Sequence, residues 1–341
     1  MASQSKWTSE QVIGMRIVIN GFGRIGRTVL RQVLSLPQDA VVEVVRINDI
    51  ASLETCAYLF KYDSVFGPFP GEVSIGEDCL IIDGNEILFS AEPDLSAVDL
   101  SGVDVVMECT GKADTIEVAG RGLKAGASNV LISGPSAAAE ITLVLGANEE
   151  QLDGHKLVSN GSCTTNALAP LLRGIDDAVG IETGHMTTVH CYTGSQPMVD
   201  APRGPLERSR AGGVSMVPTT TSATKLVGRV LPQLSGKISG AAVRVPAISV
   251  SAVDLTLTLT RSVGGPFNDL LREIFAESRL VGFINDRVVS TDMRARPESL
   301  VVALHETLAV GDRQVRIFGW YDNEWGFSAR MIDMARLMTT R

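Results

Sequence analysis

Arg16-Ile-Val-Ile-Asn20 followed at once by Gly21-Phe-Gly-Arg-Ile-Gly26 decides how the first half of the chain is read. Arg16–Asn20 is a short apolar run bounded by polar residues, as a buried strand requires. After the glycines, Ile25, Val29, Leu30, Val33 and Leu34 fall on one helical face. In the order strand, Gly-x-Gly-x-x-Gly, helix, Gly21 permits a tight turn and Gly23 lets the backbone approach a pyrophosphate. Gly26 lets helix and strand pack closely. The helix N-terminus then faces the phosphates. Phe22, Arg24 and Ile25 complete the loop.

Working outward, a second strand over Val41–Ile47 ends in Asn48-Asp49, and Asp49 stands 23 residues after Gly26. A carboxylate there accepts hydrogen bonds from an adenosine ribose and repels a 2′-phosphate, which points to NAD rather than NADP. Asp83-Gly84-Asn85 separates two short apolar runs and reads as a hairpin. Val103–Met107 and Val130–Ser133 are further buried strands. Their loops put Thr110, Gly111 and Ser133 over the cofactor.

Leu157-Val158 precede Ser159-Asn-Gly-Ser-Cys-Thr-Thr-Asn166, and Leu168, Leu171, Leu172 and Ile175 follow at helical spacing. Cys163 therefore lies in the first turn of a helix, where the dipole favours thiolate over thiol, and Ser162 can cap that turn. Beyond it Glu182–Tyr192 reads as a strand carrying His190. Gly194–Pro218 is a long segment with little periodicity, the kind of loop that usually carries function. Leu255–Thr260 alternates cleanly, so its sheet has one polar and one buried face. Phe267–Phe275 reads as a helix, Val301–Leu308 and Gln314–Tyr321 as strands, and Phe327, Met331, Met334, Ala335 and Met338 share one face of a last helix. A thiol, a histidine and a nicotinamide site together suggest aldehyde oxidation through a thioester, with His190 as general base.

Composition bounds the rest. The 341 residues suit two domains, and 45% hydrophobic content supplies a sizeable core. The formal charge is −9, without long runs of either sign, which disfavours nucleic acid and anionic membrane as main partners. No uncharged apolar run reaches the ~18 residues a membrane span needs. The five cysteines include no Cys-x-x-Cys pair, and with four histidines they form no metal spacing. No metal site and a reducing, cytoplasmic setting are expected. Met1–Gly14 reads as an extension before the first strand.

Asn20–Arg27 (NGFGRIGR), Ser159–Asn166 (SNGSCTTN), Met186–Thr193 (MTTVHCYT), Arg244–Pro246 (RVP) and Trp320–Gly326 (WYDNEWG) resemble phosphorylating glyceraldehyde-3-phosphate dehydrogenases. The likeness runs from about Met15 to the C-terminus. It implies an α/β Rossmann-type NAD-binding domain over residues 1–162, completed by a C-terminal helix at 327–341. It also implies an α+β catalytic domain with a mainly antiparallel sheet over 163–326. The implied partners are glyceraldehyde 3-phosphate and inorganic phosphate, with NAD as cofactor and a homotetramer as assembly. By resemblance Cys163 is the nucleophile and His190 the base. Thr193 and Arg244 would hold the substrate phosphate, and Ser162, Thr164, Arg208, Thr221 and Ser222 would surround the attacking phosphate, with Arg210 able to compete with Arg208. Asn323 would orient the nicotinamide amide. Gly161, Ala167, Gly194-Ser195, Pro197 and Ser222 depart from the usual family pattern. Ser222, where a glycine is usual, bears on the inorganic-phosphate site. Erythrose-4-phosphate dehydrogenase is the nearest alternative, and Tyr192-Thr193 with Tyr321 favour the triose. A non-catalytic NAD-binding paralogue is the alternative of another class.

Overall fold

Polar residues close the buried strands of the first sheet, and the turns that follow them build one edge of the molecule. The computed structural model describes residues 14–37 and 42–340, so the extension before Gly14, and Val41 at the start of the second strand, lie outside the described residues. In chain order the first unit comprises β1 (Met15–Asn20), α1 (Arg24–Leu34), β2 (Val42–Asn48), α2 (Leu53–Lys61), β3 (Val73–Ile75), β4 (Cys79–Ile82), β5 (Asn85–Ser90) and β6 (Val105–Glu108). Then come the short α3 (Ile116–Ala119) and α4 (Arg121–Lys124), β7 (Asn129–Ile132), β8 (Ile141–Thr142) and β9 (Leu157–Ser159). Among the described residues these strands form a nine-stranded sheet in the order β3-β4-β5-β2-β1-β6-β7-β9-β8.

Strand β1 pairs in parallel with β2 on one side and β6 on the other. The chain reverses its direction of travel there, and such a switch point opens a crevice beyond the carboxyl ends of the strands. The β4–β5 hairpin is antiparallel. It turns on Asp83 and Gly84, whose φ of 50° and 81° are left-handed, the geometry that a two-residue hairpin loop needs.

The second unit begins with α5 (Cys163–Val179) and β10 (Ile181–Cys191). It continues through β11 (Val217–Thr219), α6 (Ala223–Val230), β12 (Ile238–Val245), β13 (Ser251–Leu259), α7 (Phe267–Ile274), β14 (Val281–Ile284), β15 (Leu300–Ala303), β16 (Leu308–Val310) and β17 (Gln314–Tyr321). The sheet order is β11-β12-β10-β13-β17-β15-β14, with β16 also on β17. It is mixed and mainly antiparallel, with β10–β12 and β14–β15 as parallel pairs. On β13, Leu255, Leu257 and Leu259 are buried while Thr256 and Thr258 are only partly so, as the alternation requires. Those leucines pack with Leu168, Leu171, Leu172 and Ile175 of α5.

The strand expected over Val301–Leu308 is two strands. β15 stops at Ala303, Leu304–Glu306 form a 3-10 turn, and Leu308 opens β16. Both pieces pair with the eight-residue β17, at Trp320 and Gly319 for β15 and at Arg316 to Gln314 for β16. The chain must bend between them, which apolar continuity in the sequence does not reveal. The Gly194–Pro218 segment likewise contains a 3-10 turn at Leu206–Ser209 and the start of β11.

The last helix, α8 (Trp325–Thr340), returns to the first unit. Met331, Met334 and Ala335 are buried with Val29, Leu30 and Val33 of α1. An ion network adds to this packing. The Arg24 guanidinium donates to both carboxylate oxygens of Glu324, at 3.0 and 2.6 Å, and also pairs with Asp63. Asp322 caps α8 by accepting from the amides of Glu324 and Trp325.

Helix α1 sits close to β1 because position 26 has no side chain. A Cβ there would lie 2.3 Å from the Gly21 carbonyl oxygen and 2.9 Å from Ile19 Cγ2. Gly26→Ala is expected to lower stability by about 2 kcal/mol in denaturant unfolding. A loss below about 0.5 kcal/mol would show that helix and turn separate freely.

Candidate active site

The crevice at the switch point is a cleft of about 270 Å³. Gly21, Gly23, Asp49 and Thr110 line it, with Asn20 and Asn48 beneath them. Gly21 has φ of +92°, and a Cβ on it would strike the Cys109–Thr110 backbone at 2.7 Å. Position 23 is different, since a Cβ there would meet nothing within 4 Å. That open space lies at the N-cap of α1, where backbone N–H groups favour phosphate. The cradle therefore fits a dinucleotide. Asp49 faces the same cleft and already accepts from Phe22 N at 2.6 Å and Ala51 N at 2.8 Å. These bonds hold its carboxylate rigidly, with lone pairs left for a ribose.

The other residues predicted to bind the cofactor around the glycine loop and after β6 and β7 are not among those lining this cleft. Phe22 is buried, with its ring 6.0 Å from that of Phe60. Ile25 packs against the core of the first unit. Arg24 is spent on Asp63 and Glu324. Gly111 has a left-handed φ of 68° in the turn after β6. Ser133 N donates to the Glu108 carbonyl, just beyond the end of β7.

The thiol lies at the meeting of the two units, and Cys163 touches both hydrophobic cores. Ser162 caps α5 by accepting from Thr165 N at 3.1 Å. Cys163 Sγ stands 3.6 Å from His190 Nε2. On the far side of the ring, Nδ1 is 2.7 Å from the Cys191 carbonyl, which also accepts from Arg244 at 2.9 Å. An Arg244 amino group also stands 2.9 Å from the same Nδ1. A ring hydrogen on Nδ1 satisfies the shorter contact, to the carbonyl, and leaves the Nε2 lone pair facing sulfur, whereas the other tautomer accepts from Arg244 and turns Nε2–H toward sulfur. Arg244 reaches this place through strand register, because parallel β10 and β12 set it opposite His190.

Burial shifts both members of the pair. It pushes the Cys163 thiol up, against the opposing pull of the Thr164 hydrogen bond and the Arg244 guanidinium. Loss of water thus works against the thiolate that the helix dipole favours. His190 is lowered to about 4, by burial first and by Arg244 second. Both shifts favour the uncharged forms, a thiol beside an imidazole that is able to take its proton.

Tyr321, which in the sequence bears only on the choice of substrate, organises this centre. It is fully buried at the end of β17, with its hydroxyl 2.9 Å from Thr164 Oγ1 and 2.8 Å from Thr188 Oγ1. Its ring meets His190 edge-on at 6.1 Å. The Thr164 hydroxyl is therefore engaged, and what that residue offers an anion is its backbone N–H at the helix start. Asn323 Oδ1 accepts from Cys191 Sγ and Ser251 Oγ, both at 3.2 Å.

Arg208 is held against the segment before α6, with Nε 2.8 Å from Thr219 Oγ1 and an amino group 3.1 Å from the Thr220 carbonyl. Arg210 is paired with Asp200 at 2.6 Å instead, so it does not compete for that place. Thr221 Oγ1 accepts from Ala223 N, and Ser222 makes no side-chain cap to α6. Thr193 Oγ1 is 2.9 Å from Ser195 Oγ. No group of His, Cys, Asp and Glu suited to a metal ion occurs among the described residues.

A dinucleotide cradle on a mainly parallel sheet, next to a half-buried thiol and a base on a second sheet, defines an NAD-dependent dehydrogenase. Residues 15–116 match the glyceraldehyde 3-phosphate dehydrogenase NAD binding domain, and residues 162–323 match the C-terminal domain of the same family. The chain is 44% identical over 335 residues to glyceraldehyde-3-phosphate dehydrogenase of Xanthobacter flavus, covering 96% of this chain and 99% of the relative. It is 45% identical over 325 residues to the enzyme of that name from Pseudomonas aeruginosa, covering 94% and 97%. To glyceraldehyde-3-phosphate dehydrogenase 2 of Bacillus subtilis it is 41% identical over 334 residues, covering 96% and 97%. The chain belongs to the glyceraldehyde-3-phosphate dehydrogenase family, and its cofactor is NAD.

The lowered His190 has a measurable consequence. Above its ordinary value near 6.5 the ring is neutral in both folded and unfolded chains. Below that pH the unfolded chain takes up a proton that the folded one refuses until about 4. Stability is therefore lost as pH falls through this window. His190→Gln is expected to reduce the stability lost between about pH 7 and 4.5, read from urea unfolding, by about 2 to 3 kcal/mol. An unchanged loss would mean that His190 titrates normally in the fold.

Proposed function

We propose that this protein oxidises glyceraldehyde 3-phosphate to 1,3-bisphosphoglycerate through a hemithioacetal and a thioester on Cys163. The observation that carries the reading is the 3.6 Å approach of Cys163 Sγ to His190 Nε2, with Nδ1 held from behind at the Cys191 carbonyl. The division into a cofactor domain at 1–162, closed by the last helix at 327–341, and a catalytic domain at 163–326 belongs to the same reading. So do a homotetrameric assembly and a cytoplasmic setting.

His190 Nε2 takes the Sγ proton as sulfur bonds to the aldehyde carbon, and the imidazolium returns a proton to the new oxyanion. Backbone N–H groups at the start of α5 stabilise that oxygen while it is charged. NAD, when bound, supplies the hydride acceptor. As hydride leaves the hemithioacetal carbon, His190 accepts the hydroxyl proton and the thioester remains on Cys163. Inorganic phosphate then attacks the acyl carbon, the acyl phosphate leaves, and the sulfur recovers its proton from His190.

Arg244 and Thr193 are suited to the substrate's own phosphate, since a guanidinium fork and a hydroxyl are short, directed donors. Arg208, Thr221, Ser222 and Ser162, with the backbone of Thr164, would receive the attacking phosphate. Asp49 would accept from the adenosine ribose, and Asn323 would orient the carboxamide of the nicotinamide. Tyr192-Thr193 and Tyr321 favour the triose over erythrose 4-phosphate.

The test is NADH formation from glyceraldehyde 3-phosphate, with and without inorganic phosphate, beside erythrose 4-phosphate and an NADP control. Fast, phosphate-dependent NADH production from the triose is expected. Cys163→Ala is expected to keep NAD binding and to lose all but about a thousandth of kcat. Preference for the tetrose, or indifference to phosphate, would overturn the substrate assignment. Retained turnover in Cys163→Ala would overturn the thioester.

A further inference from the structure

Three neighbouring strands of the first sheet end in buried polar residues: Asn48 on β2, Asn20 on β1 and Glu108 on β6. Their side chains form one continuous hydrogen-bonded chain across the floor of the cofactor cleft. The amide of Asn48 donates to the Glu92 carbonyl at 2.9 Å and to Asn20 Oδ1 at 2.8 Å. Asn48 Oδ1 accepts from Ser90 Oγ at 2.9 Å and Glu92 N at 3.0 Å. The amide of Asn20 in turn donates to Glu108 Oε2. Glu108 Oε1 accepts from Thr110 N at 3.0 Å and from the Thr110 hydroxyl.

The carboxylate at the end of this chain is unusual. Glu108 is only 4% exposed, and buried carboxylates are ordinarily paired with a cation. Among the described residues no ion pair reaches it, and three donors hold it instead. Those donors come from the two walls of the cleft. Asn20 immediately precedes the Gly21 turn, while Thr110 belongs to the turn after β6. The two turns are in contact, since a Cβ on Gly21 would lie 2.7 Å from the Cys109 and Thr110 backbone. Both Gly21 and Thr110 line the cleft.

We propose that Glu108 is a positioning residue for NAD, whose carboxylate locks the glycine turn and the Thr110 turn at the separation the dinucleotide requires. It acts through Asn20 and Thr110 without touching the reacting atoms. The proposal rests on this cleft being the NAD site, so the parent protein's own affinity for NAD is the first control. A parent that fails to bind NAD would remove the site itself rather than the role of Glu108.

The donor pattern provides a polarity-swap test. In Glu108→Gln one acceptor becomes an amide donor facing the Asn20 amide, so two donors oppose each other. In Asn20→Asp two carboxylates face each other. In the double variant Asn20→Asp with Glu108→Gln, the amide at 108 donates to the carboxylate at 20. That carboxylate still accepts from Asn48, and the remaining oxygen at 108 still accepts from Thr110. NAD binding is measured by titration calorimetry on the full-length proteins, alongside steady-state kinetics and thermal unfolding.

Each single variant is expected to raise Kd and KM for NAD about tenfold, with kcat at saturating NAD within about twofold. The double variant is expected to return Kd to within about threefold of the parent. Singles that fold and bind NAD as tightly as the parent would overturn the proposal, as would a folded double variant that binds no better than the singles. A purely structural role would lower thermal stability without moving the Kd. If the singles do not fold, the double variant alone decides, because complementarity predicts near-parental affinity there.

Discussion

The contact between Cys163 Sγ and His190 Nε2 is the constraint to which the rest of the molecule answers. Sulfur stands at the first turn of α5 and imidazole near the end of β10, and 27 residues of chain separate them. They meet because β10 runs back along the sheet that α5 packs against, so the end of the strand returns to the start of the helix. Tyr321 completes the join. It binds Thr164 beside the nucleophile and Thr188 two residues before the base, from a third element, and all three are buried. Burial sets the chemistry of this contact. It favours the uncharged thiol and the neutral imidazole, a pair able to exchange one proton.

The two units are bound together at the same place. Cys163 packs against both cores, while Arg24, at the head of α1, ties that helix to Glu324 and Asp63. Glu324 follows Asn323, whose amide oxygen is held by the residue after His190. The segment from Tyr321 to Trp325 thus links the phosphate cradle, the base and the last helix. Five consecutive residues carry these links, so a small change there would move several groups of the site together.

Much of the site was legible in the chain because its local patterns have few physical solutions. Three spaced glycines after an apolar strand are needed where backbone must approach backbone or ligand, and Gly21 and Gly26 have no room for a Cβ. Ser162 before Cys163 caps the helix as its side-chain chemistry predicts. Arg24 and Thr164 stood out in the sequence, but their partners did not. Both spend their side chains on residues far away in sequence, at Glu324 and Tyr321. The polar ends of β1, β2 and β6 gave a faint signal, since Asn20, Asn48 and Glu108 each interrupt an apolar run. Nothing in the order of residues says that the three stand side by side.

By itself the sequence determined the first strand with its glycine cradle, the capped helix carrying Cys163, and the alternation of β13. Each of these follows from interactions within one or two adjacent elements. Only the tertiary structure decided the approach and burial of the Cys163–His190 pair, the partner of each arginine, and the bend that divides β15 from β16. These depend on burial and on strand register between segments distant in sequence. The free energy of a charge is governed by what surrounds it in space, and a one-dimensional pattern does not contain that information.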